Sequence, residues 1–208
     1  MKKLNFILAG ILLFSISFVQ AQEENQTSKF SIYAYGGIGY TQVKNDNEPD
    51  YDLNVNTGEV LLNYQAWDKI GLATGIGYSV LSGGGFNSNG NFYQERTLIK
   101  IPVLFTINQT IAENLIMTAN FGLYGQTIIK DEFQYLNRTD KDVYEGFNFG
   151  AQLGLGIGYQ FDERLGFGIN FNGQSDFNSF ETTSNSNLND EQRHKSFTSL
   201  GIFATIKL

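Results

Sequence analysis

From Phe147 to Phe161 the chain alternates between two kinds of residue without a break. The odd positions carry Phe147, Phe149, Ala151, Leu153, Leu155, Ile157, Tyr159 and Phe161, and the even ones Asn148, Gly150, Gln152, Gly154, Gly156, Gly158 and Gln160. A period of two belongs to an extended strand whose faces meet different surroundings, and no helical period accommodates it. Leu165, Phe167, Ile169 and Phe171 repeat the pattern, as do Leu200, Ile202, Ala204, Ile206 and Leu208. Weaker versions occupy Phe30 to Tyr40, Gly58 to Trp67, Ile70 to Leu81, Thr97 to Thr106 and Leu115 to Thr127. Eight strands are therefore expected.

The connections alternate in length. Asp68-Lys69, Asn108 to Asn114 and Asp162-Glu163 are short, whereas Val43 to Tyr51, Ser82 to Asn91, Lys130 to Asp142 and Gly173 to Lys195 are long and rich in Asn, Ser, Gly and Asp. That pattern predicts an all-β fold, an eight-stranded antiparallel up-and-down barrel spanning residues 30–208. A water-soluble barrel needs charges on its exterior, yet the non-apolar face of Asn148 to Gln160 carries none. Small neutral residues instead suit the narrow interior of an eight-stranded barrel, with Leu, Ile and Phe turned to lipid. In hydrocarbon every strand hydrogen bond must be made internally, so the last strand is expected to pair with the first.

In transmembrane barrels of the outer membrane, short turns face the periplasm and long loops face outside, and an even strand count leaves both termini inside. Phe30, Trp67, Phe105, Tyr159 and Phe161 are then expected at the periplasmic interface, and Tyr40, Phe92, Tyr93 and Tyr124 at the outer one. Pro102 falls inside a strand without an N–H to donate, and in a barrel without edges a bulge is expected there. The lumen of so small a barrel is filled, which disfavours a porin.

The first residues fit export. Lys2 and Lys3 precede an apolar run from Leu4 to Val19 that ends Val19-Gln20-Ala21, the form of a cleavable signal peptide over residues 1–21. A short polar segment, residues 22–29, would follow. Cleavage removes two of 14 basic residues and none of the 21 acidic ones, leaving a formal charge of −9 and no basic patch for nucleic acid. The chain has no cysteine, so neither disulfides nor a Cys₂His₂ zinc site can hold it. After the apolar leader no run approaches the ~20 residues of a spanning helix.

The ending Val19-Gln20-Ala21-Gln22, the strand Leu98-Ile99-Lys100-Ile101-Pro102-Val103-Leu104-Phe105 and a last strand reaching Leu208 resemble the small outer-membrane β-barrel domain proteins of Bacteroidetes, the PorT-like group. The resemblance covers the whole mature chain and implies a bacterial outer-membrane location and an accessory part in protein secretion. It implies no enzymatic activity.

Chemistry is sparse. His194, the sole histidine, stands two residues before Ser196 and is expected on the same side of a strand by period two, an arrangement that resembles that of outer-membrane lipid A deacylases. A lipid hydrolase would need a carboxylate to orient the imidazole, and Asp176 is the nearby candidate. Two ordinary polar residues at a loop edge is the reading preferred here, so no catalytic residue is assigned. Glu59 and Lys100 fall on the inward phase of their strands and are expected to pair in the lumen. The acidic runs Asn45 to Asp52 and Asn189 to Glu191 match no calcium loop, and Gly83-Gly84-Gly85 lacks the Gly-Lys-Ser/Thr of a phosphate loop. No cofactor or metal is implied. The expected partners are outer-membrane lipid and a protein or envelope component met at the extracellular loops by a monomer. Three roles remain open: a structural or interaction barrel without an open pore, a lipid hydrolase using His194 and Ser196, and a PorT-like secretion accessory.

Overall fold

The structure is a computed structural model that describes residues 28–184 and 190–208, so the expected signal peptide and most of the segment after it lie outside the described residues. Eight long strands form the wall: β1 (Phe30–Asn45), β2 (Tyr51–Gln65), β3 (Ile70–Asn87), β4 (Gly90–Ala112), β5 (Leu115–Gln134), β8 (Phe147–Gln160), β9 (Leu165–Asp176) and β11 (Glu191–Lys207). Each pairs antiparallel with its neighbour in sequence, and β11 closes on β1 from Ser31↔Lys207 to Asn45↔Gln192. The expected barrel and its closure are both present, and no sheet edge is left along the wall.

Three short strands, β6 (Thr139–Lys141), β7 (Tyr144–Glu145) and β10 (Phe180–Thr182), lie at the end opposite the termini. β6 pairs β5, while β7 pairs β10 and β10 pairs β11. β7 and β10 each turn one side chain, Tyr144 and Phe180, into the buried interior at that end.

The phase read from the sequence holds on β8. Leu153, Leu155 and Ile157 stand exposed on the outside, and Asn148 and Gln152 are buried within. The outward band of Ile32, Val60, Leu62, Ile76, Ile101, Val103, Phe121, Leu123, Ile169 and Ile202 continues around the barrel. On β2 it stops below Asn56, Asn54 and Asp52, and on β4 and β5 it gives way to Glu95, Lys130 and Glu132. The first five strands therefore outrun the apolar band at the loop end.

The connection Ser82 to Asn91 is not the long loop expected. β3 and β4 stay paired through Gly83↔Gln94 to Asn87↔Gly90, leaving Ser88 and Asn89 as a tight turn. Beyond the lipid band a strand need not alternate, so its signature vanishes while its hydrogen bonds persist. Gly90 has φ +111°, which favours glycine, and Gly85 leaves room for the Phe92 ring, whose tip a Cβ would meet at 2.4 Å. Strand also claims Lys130 to Gln134 and Gly173 to Asp176 from the other expected loops.

Pro102 sits in regular register opposite Tyr124, so the bulge expected there is absent. The β3–β4 ladder runs to Thr74↔Val103 and resumes unshifted at Gly77↔Lys100. The wall tolerates the missing donor, and the Thr74 hydroxyl donates to the Pro102 carbonyl at 2.8 Å. The bulges lie elsewhere, at Tyr40/Gln42 against β11, at Thr97/Leu98 against β5 and near Thr110.

Candidate functional site

The interior is organised in layers along the barrel axis. At mid-height Lys100 on β4 and Glu59 on β2 form the ion pair expected from their phase, both almost fully buried. The Lys100 ammonium also donates to Gln152 Oε1 at 2.7 Å and Gln174 Oε1 at 2.9 Å, and Gln152 Nε2 donates to Glu59 Oε2 at 3.2 Å. Four strands are thus tied across the lumen. Such complete satisfaction is what lets buried charges persist.

Beside this layer Asp176 on β9 collects donors. Tyr124 Oη lies 2.6 Å and Gln126 Nε2 2.9 Å from Oδ1, while Asn148 Nδ2 and the His194 backbone N–H reach Oδ2 at 3.0 and 2.9 Å.

Nearer the loop end, fully buried Arg96 forms a two-pronged contact with Asp131, Nε to Oδ1 at 3.0 Å and Nη2 to Oδ2 at 3.1 Å. Nη2 also donates to Gln192 at 2.7 Å, and the guanidinium lies 5.2 Å from the Tyr144 ring centre and 5.9 Å from that of Phe180. Arginine suits this place because its planar fork satisfies several acceptors at once. Around it Val43, Leu53, Val55, Leu81, Phe92, Leu98, Phe133, Val143, Tyr144, Phe180 and Phe197 form an apolar core. β7 and β10 supply Tyr144 and Phe180, whose buried side chains pack into this core at the loop end. Asp190 fastens this end by accepting from the Tyr144 hydroxyl at 3.1 Å and from the Asp46 and Asn47 N–H groups at 3.0 and 2.8 Å. Burial holds the Tyr144 hydroxyl well above the usual phenol range, and the Asp190 charge pushes the same way.

His194 and Ser196 do not come together. His194 is buried inside the barrel, whereas Ser196 is exposed on the outer face with φ 54°. The Tyr40/Gln42 register shift sets an extra residue on β11 against β1, and this inverts the period between the two side chains. Asp176 is beside His194 as the hydrolase reading required, Oδ2 lying 3.2 Å from Nδ1, although the contact is off the hydrogen-bonding direction. Nε2 lies 3.3 Å from Arg96 Nη1. Since arginine can only donate, that nitrogen acts as acceptor and is occupied within the lumen. The imidazole serves the interior packing here, and Ser196 is out of its reach across the wall.

Of the expected interfacial aromatics, Trp67, Phe105, Tyr159 and Phe161 at one end and Tyr40 and Tyr93 at the other are exposed, with Phe30 half-buried. Phe92 and Tyr124 are corrections: both are buried in the lumen, Phe92 in the apolar core and Tyr124 over the Lys100 ammonium at 5.3 Å. Their even numbers place them on the inward phase with Lys100 and Gln126. The sequence reading missed Arg96 although it shares that phase. Asp131 was hidden because Ile129 is the extra residue at the Thr97/Leu98 bulge and shifts β5 from even-inward to odd-inward.

Residues 6–197 match the family model described as outer membrane protein beta-barrel domain. Among solved structures, the chain is similar to Neisserial surface protein A at 9% identity and a TM-score of 0.56, covering 87% of this chain and 98% of that one. It is also similar to a major outer membrane protein of Thermus thermophilus, at 12% identity and a TM-score of 0.48, with 85% and 98% covered. The comparison with curated proteins gives no match. With an apolar exterior, a closed wall and the family match over nearly its whole length, the chain belongs to the outer membrane protein beta-barrel domain family and is a protein of the bacterial outer membrane.

Proposed function

We propose that this is a non-conducting barrel with a structural or interaction role, acting through the rim that its first five strands and short cover strands raise above the lipid. The observation that carries this reading is the packing of the upper lumen, where, among the described residues, the fully buried Arg96–Asp131 pair lies inside an apolar core to which β7 and β10 add Tyr144 and Phe180. Protein material spent on closing a lumen from above is unneeded in a conduit but useful in a rigid platform. The rim is polar, with Asp52, Asn54, Asn56, Glu95, Lys130 and Glu132 on its outer surface, and suits a protein or envelope partner outside the cell. In this orientation the termini and the short turns face the periplasm. The PorT-like secretion role rests on the resemblance alone, carried by the Val19 to Gln22 ending, the Leu98 to Phe105 strand and the last strand reaching Leu208, and the genes beside this one are its test.

Planar-bilayer recording on the refolded mature chain provides the test of closure. No stepwise conductance is expected from the parent protein, and unitary steps would overturn the closed-barrel reading. A photo-crosslinker at Ser88, on the tip of the β3–β4 hairpin, should capture a discrete envelope partner on cells, and capture of nothing but lipid would remove the interaction role.

A further inference from the structure

At the terminal end the lumen is built differently. A cavity of about 40 Å³ lies among Ser31, Tyr33, Asn63, Thr106, Thr118 and Asn120. Its lining carries no charge. Asn63 is engaged, accepting from the Thr106 hydroxyl at 2.6 Å and donating to Ser31 at 3.3 Å. Three other polar atoms on its wall, Tyr33 Oη, Thr118 Oγ1 and Asn120 Oδ1, are buried yet have no hydrogen-bond partner within the protein. Thr118 and Asn120 are each more than nine-tenths buried. Unpartnered buried groups are destabilising, and native folds rarely keep several together without a polar occupant.

We propose that this cavity is a binding site for a small cluster of water molecules, entered from the end that carries the termini and bounded by the buried apolar cluster of Leu61, Ala73 and Leu104. A water needs roughly 10–15 Å³ of such space and two to four polar partners. The cavity therefore takes about three waters, and Tyr33, Thr118 and Asn120 supply a hydroxyl, a hydroxyl and an amide oxygen for them. An anion finds no cation on this wall, and a larger solute does not fit. The barrel interior is then wet in its terminal third and dry under its cover. In the proposed orientation that water exchanges with the periplasm, but the site itself does not depend on which way the barrel faces.

The test uses the refolded mature chain in lipid, with solid-state NMR magnetisation transfer from water. Strong water cross-peaks are expected at Thr118 and Asn120, and none above background at Leu53, Val55 and Phe133 in the upper core. Thr118 and Asn120 as dark as those three would overturn the proposal. A chemical counterpart uses the absence of native thiols. Thr118→Cys should react with Ag⁺, which is about water-sized, at least tenfold faster than Val55→Cys, and equal rates would likewise overturn it. Conductance tests the closed upper lumen separately, so failure of either leaves the other standing.

Discussion

At the residue scale the Glu59–Lys100 pair shows how far side-chain phase alone can be read. Both residues stand opposite apolar neighbours on their own strands, and with a lipid exterior the only place for a charge is inward, where it needs a partner. Gln152 and Gln174 complete the layer from β8 and β9. Removing one charge strands the other, so Lys100→Met should lower stability by about 3–5 kcal/mol, whereas Lys100→Met with Glu59→Leu should restore most of it. Urea unfolding in lipid vesicles measures the cycle, and a double variant no better than the single one would show that the pair is not the unit. Arg96 and Asp131 obey the same physics, yet neither was read as inward: Arg96 was missed although its phase is regular, and Asp131 has no regular phase to read. A phase count begun at Leu115 places Asp131 outside, because one bulged residue, Ile129, is invisible in composition.

At the element scale the strands under the lipid band were legible and the strands above it were not. Alternation is imposed by having hydrocarbon on one side and a filled lumen on the other. Once β3 and β4 rise past Tyr78 and Ile99 that contrast ends, and Gly83-Gly84-Gly85 reads as loop although it is paired with Tyr93 and its neighbours. The bulge in β11 bears on the hydrolase reading, since it separates His194 from Ser196. Ser196 is held at φ 54°, a left-handed conformation that costs a non-glycine residue roughly 1–2 kcal/mol. Ser196→Gly should therefore raise the urea midpoint, and Ser196→Val should lower it. Stabilisation by valine would mean that the bulge is absent in the folded protein, and His194 and Ser196 would again share a face.

At the scale of the whole molecule, the sequence pattern carried the barrel, its closure and the lipid-facing band, whereas the cover made by β7 and β10 was not legible, since two- and three-residue strands have no period. The band itself predicts a gradient. Leu155→Arg at mid-wall should cost ~2–4 kcal/mol and Asn56→Arg, above the band, ~0–1 kcal/mol, and equal costs in vesicle unfolding would misplace the membrane. Orientation then decides where the rim can work. Strand parity with Phe30 and Lys207 at one end puts the Ser88 turn and Ser184 at the other, and the Asp162 turn beside the termini. Cysteines placed singly at 88 and 184 should react with an impermeant maleimide on intact cells, and one at 162 should react only after the outer membrane is breached. The chain has no thiol of its own, so each signal is unambiguous. Labelling at 162 with protection at 88 would invert the barrel, turning the polar rim of Asp52, Asn54 and Asn56 toward the periplasm and opening the wet cavity at the terminal end to the medium.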